Sequence, residues 1–104
     1  MNSTTNGSTI PLTQDQLQVI NEMAELFYTF EHICINAEVD PEAYIEDFNN
    51  KTGEFYIAYM TGYLKGDMTL RQSIKTSADN GSHPAQQLLL KIQEETNIQI
   101  KANE

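Results

Sequence analysis

Tryptophan is absent from this chain of 104 residues, cysteine occurs once, and the first 50 residues contain neither lysine nor arginine. A single cysteine, Cys34, excludes an internal disulfide and is expected as a small buried apolar residue in a reducing compartment. The two histidines, His32 and His83, stand far apart in sequence, and no Cys/His spacing suits zinc. No apolar run approaches the roughly 20 residues that cross a bilayer. Residues Met1 to Pro11 have neither a basic start nor an apolar stretch, so no secretory signal is expected and the protein is placed in the cytoplasm. Glycine-rich phosphate loops and the glycine-flanked serine of a nucleophile elbow are missing. The acids between Asp40 and Asp47 lack the order of a calcium loop. These absences argue against an enzyme and against a cofactor, metal or small-molecule substrate.

What is present is acid. The net charge is −9: residues 1–50 hold nine acids and no base, and residues 51–104 hold six of each. An acidic surface repels phosphates and anionic lipid. The front half is therefore either a solvated face that keeps the chain in solution or a face for a basic protein partner.

Periodicity predicts an all-α fold: a compact bundle of about five to six short helices containing a helix–turn–helix-like unit. Residues 1–12 are expected as a disordered lead, 13–96 as a single helical domain and 97–104 as a tail. Thr13 with Gln16 forms a capping-box pattern opening a first helix over about 13–28, with Leu17, Ile20, Ala24 and Phe27 on its apolar stripe. Thr29 caps a second helix that carries Ile33, Cys34 and Ala37 and stops near Val39. Asp40-Pro41 restarts the chain in a third helix over about 41–49, an N-cap acid followed by proline at the first helical position. A fourth helix is expected from about Glu54 to Leu64 with two neighbouring apolar stripes, Ile57, Met60 and Leu64 and beside them Tyr56, Tyr59 and Tyr63, so that it packs on more than one side; the tyrosines are read as core or as a partner-facing or base-stacking surface. Gly66 is expected to end it and Asp67 to cap a fifth helix with Leu70, Ile74 and Ala78 inward. Asn80-Gly81 closes the fifth, and Ser82 with Pro84 opens a sixth with Ala85, Leu88, Leu89 and Ile92 inward. Ile98 and Ile100 end the chain in a short alternating pattern, read as a frayed helix end or as a strand that would need another subunit to pair with.

The stretch from Phe30 to Phe48 has the order of a helix–turn–helix: Ile33 as the buried apolar residue, Cys34 as the small one, Ala37 and Val39 flanking the turn, Tyr44 and Phe48 as anchors. Glu38 stands where glycine is commonest in such a turn, and Asp47 stands near a late apolar position. With these elements in order, the chain resembles the small terminase subunits and related helix–turn–helix proteins of tailed phages over about residues 13–96. The resemblance rests on Leu26-Phe27-Tyr28, Glu31-His32-Ile33-Cys34, Val39-Asp40-Pro41-Glu42, Ala58-Tyr59-Met60 with Gly62 and Leu64, Arg71-Gln72-Ser73-Ile74, and Gly81-Ser82 followed by Pro84-Ala85-Gln86. The segment from Ser77 to Leu88 is also similar to the small-residue turn of a tetratricopeptide- or Sel1-like unit.

The family implies a non-enzymatic role in genome packaging: binding duplex DNA through the helix–turn–helix, assembling into homo-oligomeric rings and delivering DNA to the large terminase subunit in the host bacterial cytoplasm. The reading helix would be residues 41–50, which carries Glu42, Glu46 and Asp47 and no base. DNA affinity comes largely from basic side chains on phosphates. The expected DNA contacts are therefore Lys51, Lys65, Arg71 and Lys75, with Arg71 and Lys75 four apart on one helix face. The alternative is an acidic interaction module or inhibitor that uses Glu42, Glu46 and Asp47 to hold a basic protein and does not bind DNA.

Overall fold

The computed structural model describes residues 11–104, so most of the lead expected over 1–12 lies outside the described residues. Among the described residues there are five α-helices and no strand: α1 (Gln14–Glu25), α2 (Phe30–Ala37), α3 (Pro41–Asn49), α4 (Gly53–Asp79) and α5 (His83–Ala102). The chain divides into two compact units, Met1–Gly66 and Asp67–Glu104, and α4 runs from one into the other.

The first three helices begin where the capping residues place them. Thr13 accepts from the Gln16 N–H while the Gln16 side chain accepts from the Thr13 N–H, a complete capping box. Thr29 accepts from the His32 N–H at 3.2 Å, and Asp40 accepts from the Glu42 N–H at 3.1 Å ahead of Pro41. Each cap satisfies one of the N–H groups that a helix start leaves unpaired, worth about 1 kcal/mol. Leu12, just before the first cap, is buried, and its N–H donates to Glu54 Oε2 at 3.0 Å.

The core of this unit joins Ile20 and Ala24 of α1 to Ile33, Cys34 and Ala37 of α2, Val39 of the turn, Tyr44 of α3 and Phe55 of α4. Phe55 is fully buried and touches the rings of Phe30, Tyr44 and Phe48 at 5.0, 5.8 and 6.0 Å between centroids. Such tilted and edge-on pairs are the favoured aromatic geometries. Of the two expected stripes of the fourth helix, Ile57 and Leu64 are exposed, while Tyr59 and Tyr63 pack against the core beside the fully buried Phe55.

The expected break at Gly66 does not occur. Gly62 and Gly66 are buried against the backbone of α1, where a Cβ would lie 2.0 Å from the carbonyl oxygens of Asn21 and Glu25 respectively. The pairing of 62 with 21 and 66 with 25 means the two helices run parallel through this contact. Asn21 Nδ2 donates to the Ala58 carbonyl at 3.1 Å, one turn earlier on the same edge. Glycine inside a helix costs about 1 kcal/mol relative to alanine. Here both glycines admit a backbone-to-backbone approach that no side chain would allow, so the helix continues. Asp67 is consequently an interior residue of α4, not the cap of a fifth helix. With the expected fourth and fifth helices fused into 27 residues and α5 reaching 20, these two are long helices, not short ones.

The second unit holds the end of α4, the turn at Asn80-Gly81 and α5. Ser82 caps α5 by accepting from the Ala85 N–H, with Pro84 in the first turn. Ala78 and Ala85 are buried, and Gln86 Nε2 donates to the Ala78 carbonyl at 3.1 Å, tying the two strokes of the hairpin at its closed end. Ile74, Leu89 and Ile92 are half-buried, while Leu70 and Leu88, expected inward, are exposed. Ile98 and Ile100 are helical and exposed within α5, so the strand alternative is not realised.

Candidate interaction surfaces

All four turns that follow α1 to α4 close in one way. The N–H of a left-handed residue bonds to the carbonyl three back, and the next N–H bonds to the carbonyl five back. The pairs are Phe27 to Ala24 with Tyr28 to Met23, Glu38 to Ile35 with Val39 to Cys34, Lys51 to Phe48 with Thr52 to Asp47, and Gly81 to Ala78 with Ser82 to Ser77. The left-handed position favours glycine, because any Cβ crowds the backbone there. Only Gly81 obeys; Phe27, Glu38 and Lys51 take φ of 67°, 58° and 61°. Glu38 therefore has the backbone a turn glycine would have, between α2 and α3, which are separated by three residues.

The acids proposed as a partner face, Glu42, Glu46 and Asp47, are all exposed on α3, and no base shares that helix. Glu42 and Glu46 are one turn apart on the same side. The four bases proposed for DNA divide between the units. Lys51 occupies the left-handed turn after α3 and Lys65 is exposed on α4, both in the first unit. Arg71 and Lys75 belong to the second, and each is held by an acid of its own helix: Arg71 Nε lies 2.9 Å from Asp67 Oδ2, and Lys75 Nζ lies 3.2 Å from Asp79 Oδ2. The Lys75–Asp79 pair is solvent-exposed and the Arg71–Asp67 pair partly so, with Asp67 half-buried, a setting in which ion pairs contribute little. The i,i+4 spacing of Asp67 to Arg71 and Lys75 to Asp79 is visible in the sequence, and it carried the information that these bases have acidic neighbours.

Two further surfaces escaped sequence reasoning. The loop after α1 presents Leu26, Phe27 and Tyr28 at 69%, 45% and 45% exposure, with the Phe27 ring edge-on to Tyr63 at 5.4 Å. The second unit leaves Met68, Leu70, Leu88, Leu90, Ile98 and Ile100 exposed. Single exposed apolar side chains are ordinary on a folded domain, whereas several large ones within one short unit make it a candidate for contact with another surface.

An open groove between α1 and the start of α4 is lined by Gln14, Leu17, Gln18, Asn21, Glu54, Ile57, Ala58 and Thr61. Glu54 is its one titratable group, and that carboxylate already accepts from the Leu12 N–H. Among the described residues no three His, Cys, Asp or Glu side chains are placed to hold a metal ion. Cys34 is buried, and burial, helped by Asp40 and then Glu31, pushes its thiol up to about 11. It is thus a protonated core residue with no nucleophilic character at neutral pH. Burial also raises Tyr44, with Glu54 and Asp47 adding to it, and Tyr59, with Tyr63 and Tyr56 adding to it. No helix among the described residues is long and apolar enough to cross a membrane. Comparison with protein families, curated proteins and solved structures finds no significant match to this chain.

Proposed function

We propose that this chain is a non-enzymatic adaptor of the phage DNA-packaging kind, resembling a small terminase subunit, in which the first unit is a helix–turn–helix-like recognition module and the second drives self-assembly. The observation that carries the reading is the second unit. Its five acids and four bases nearly cancel, and its hairpin exposes six large apolar side chains that a second copy can cover. Supporting it in the first unit are two short helices, the left-handed turn residue Glu38, and buried Ile33, Cys34, Ala37, Val39 and Tyr44 at the positions a helix–turn–helix fills with apolar or small residues.

An assembly multiplies weak phosphate contacts, because each added subunit binds at high effective concentration. In that setting Arg71 and Lys75 exchange Asp67 and Asp79 for phosphates, and Lys51 and Lys65 add charge from the first unit. Titration of labelled duplex DNA at low salt tests this by fluorescence anisotropy. The expected result is binding that falls steeply with added salt and weakens in an Arg71→Ala, Lys75→Ala variant. Absence of binding by the folded, assembled protein sinks the DNA role.

A second reading is favoured by α3: three exposed acids and no base on the helix that would enter the groove. It makes the protein an acidic interaction module that holds a basic protein, such as a large terminase subunit, without touching DNA. Glu42→Gln, Glu46→Gln and Asp47→Asn together then weaken that complex, and an unchanged complex excludes this reading.

A further inference from the structure

The loop between α1 and α2 is built against its own conformational preference. Phe27 occupies the left-handed position of a fully hydrogen-bonded helix-ending turn, where glycine carries no steric cost and a bulky aromatic is a true outlier. The ring is not thereby buried. It stays 45% exposed between Leu26, 69% exposed, and Tyr28, 45% exposed. Its aromatic neighbour Tyr63 meets it in a T-shaped arrangement, with the ring centroids 5.4 Å apart. Strain kept at a position where glycine would relieve it, for a side chain that the core does not use, is the pattern of a contact residue.

The charge around this tip selects the occupant. Glu25 and Glu31 bracket it in the chain, and the first unit as a whole carries ten acids against two bases. A second copy of so acidic a unit is repelled, since like-charge juxtaposition opposes docking. We infer that Leu26, Phe27 and Tyr28 form the apolar anchor of a docking surface for a cationic protein segment, one presenting apolar side chains to the tip and lysine or arginine to the surrounding acids. The aromatic pair supplies rigid apolar area, and Glu25 and Glu31, its acidic neighbours in the chain, supply register and on-rate. This surface lies on a different element from α3 and does not depend on assembly of the second unit, so it stands or falls separately from the adaptor reading.

The fold offers an unusually clean test. Phe27→Gly removes the anchor and places at this turn the residue its backbone prefers, so the variant is expected to fold at least as well as the parent. The probe is a synthetic helical peptide of leucine–lysine heptads, with its leucine–glutamate counterpart as control, titrated into the full isotope-labelled chain. Expected are binding of the lysine peptide only, amide shifts centred on residues 26–28, and about tenfold or greater weakening in Phe27→Gly, as for loss of one aromatic anchor. Leu26→Ser, exposed and away from the strained position, provides a second variant with the same expected direction. Equal binding by parent and both variants, shifts centred on α3 or the second unit, or no binding of the lysine peptide at low salt overturns the assignment.

Discussion

Replacing Gly62 by alanine separates a helix-propensity argument from a packing argument, because the two predict opposite signs. In an exposed helix interior the change stabilises by about 1 kcal/mol. Here the added Cβ would lie 2.0 Å from the Asn21 carbonyl oxygen and 2.8 Å from its carbon, both backbone atoms that cannot rotate aside. To restore the 3.4 Å of ordinary contact, α1 and α4 must part by roughly 1.4 Å. Overpacking of that kind costs about 1–3 kcal/mol. Parting also stretches the Asn21 bond to the Ala58 carbonyl, worth about 1 kcal/mol, and loosens Ile20 and Ala24 on the same helix. Set against the propensity gain, the net expectation is a loss of about 2 kcal/mol. Gly66→Ala meets the Glu25 carbonyl at the same distance and should behave alike. Urea denaturation followed by circular dichroism reads the effect as a lower midpoint at unchanged slope. An unchanged or raised midpoint for Gly62→Ala would refute the close approach of the two backbones.

Two further outcomes follow from turn geometry and titration. Glu38→Gly should raise stability by about 0.5–1 kcal/mol, the left-handed cost removed less the extra freedom glycine gives the unfolded chain, while Glu38→Ala, which keeps a Cβ, should not; equal midpoints for the two in urea would contradict the turn assignment. Stability should fall as pH rises from about 9 to 11, because the folded state holds the Cys34 proton up to about 11 while the unfolded thiol releases it near the ordinary thiol value of 9.0. The sign is that of a group with a raised folded pKa: its contribution is complete below the unfolded pKa and gone above the folded one, with a slope of at most about 1.4 kcal/mol per pH unit for one proton. Raised Tyr44 and Tyr59 act in the same direction at higher pH, so Cys34→Ala should flatten the lower part of the decline and leave the upper part.

The helix starts were legible because each is written locally. Thr13, Thr29, Asp40 and Ser82 each announce a cap within three residues, and all four accept the N–H bonds expected of them. Gly66-Asp67 carries the same kind of local signal, a glycine stop before an acidic start, yet the structure overrides it. What decides the matter is a backbone 41 positions away, the Glu25 carbonyl, and no local rule contains it. Phe55 was missed for a related reason: it lies two residues after the turn glycine Gly53 and off the Ile57, Met60, Leu64 period, and only the meeting of α2, α3 and α4 puts it at the centre. Of the candidate sites, the acidic face of α3 was readable directly from composition. The pairing of Arg71 with Asp67 and of Lys75 with Asp79 was readable from spacing, but grouping the two bases with each other concealed it. The exposed loop at Leu26–Tyr28 had no sequence signal, since its residues continue the apolar period of α1 and look like core.

The central claim, that the second unit assembles copies of this chain, is tested most directly by multi-angle light scattering across a range of concentrations, on the parent and on a Leu88→Ser, Ile98→Ser variant. Both substituted residues are exposed on α5, so the variant should retain its helical content. The prediction is a parent mass that is a whole multiple of 11.8 kDa and a variant shifted towards 11.8 kDa. A parent that remains at 11.8 kDa at every concentration would contradict the account.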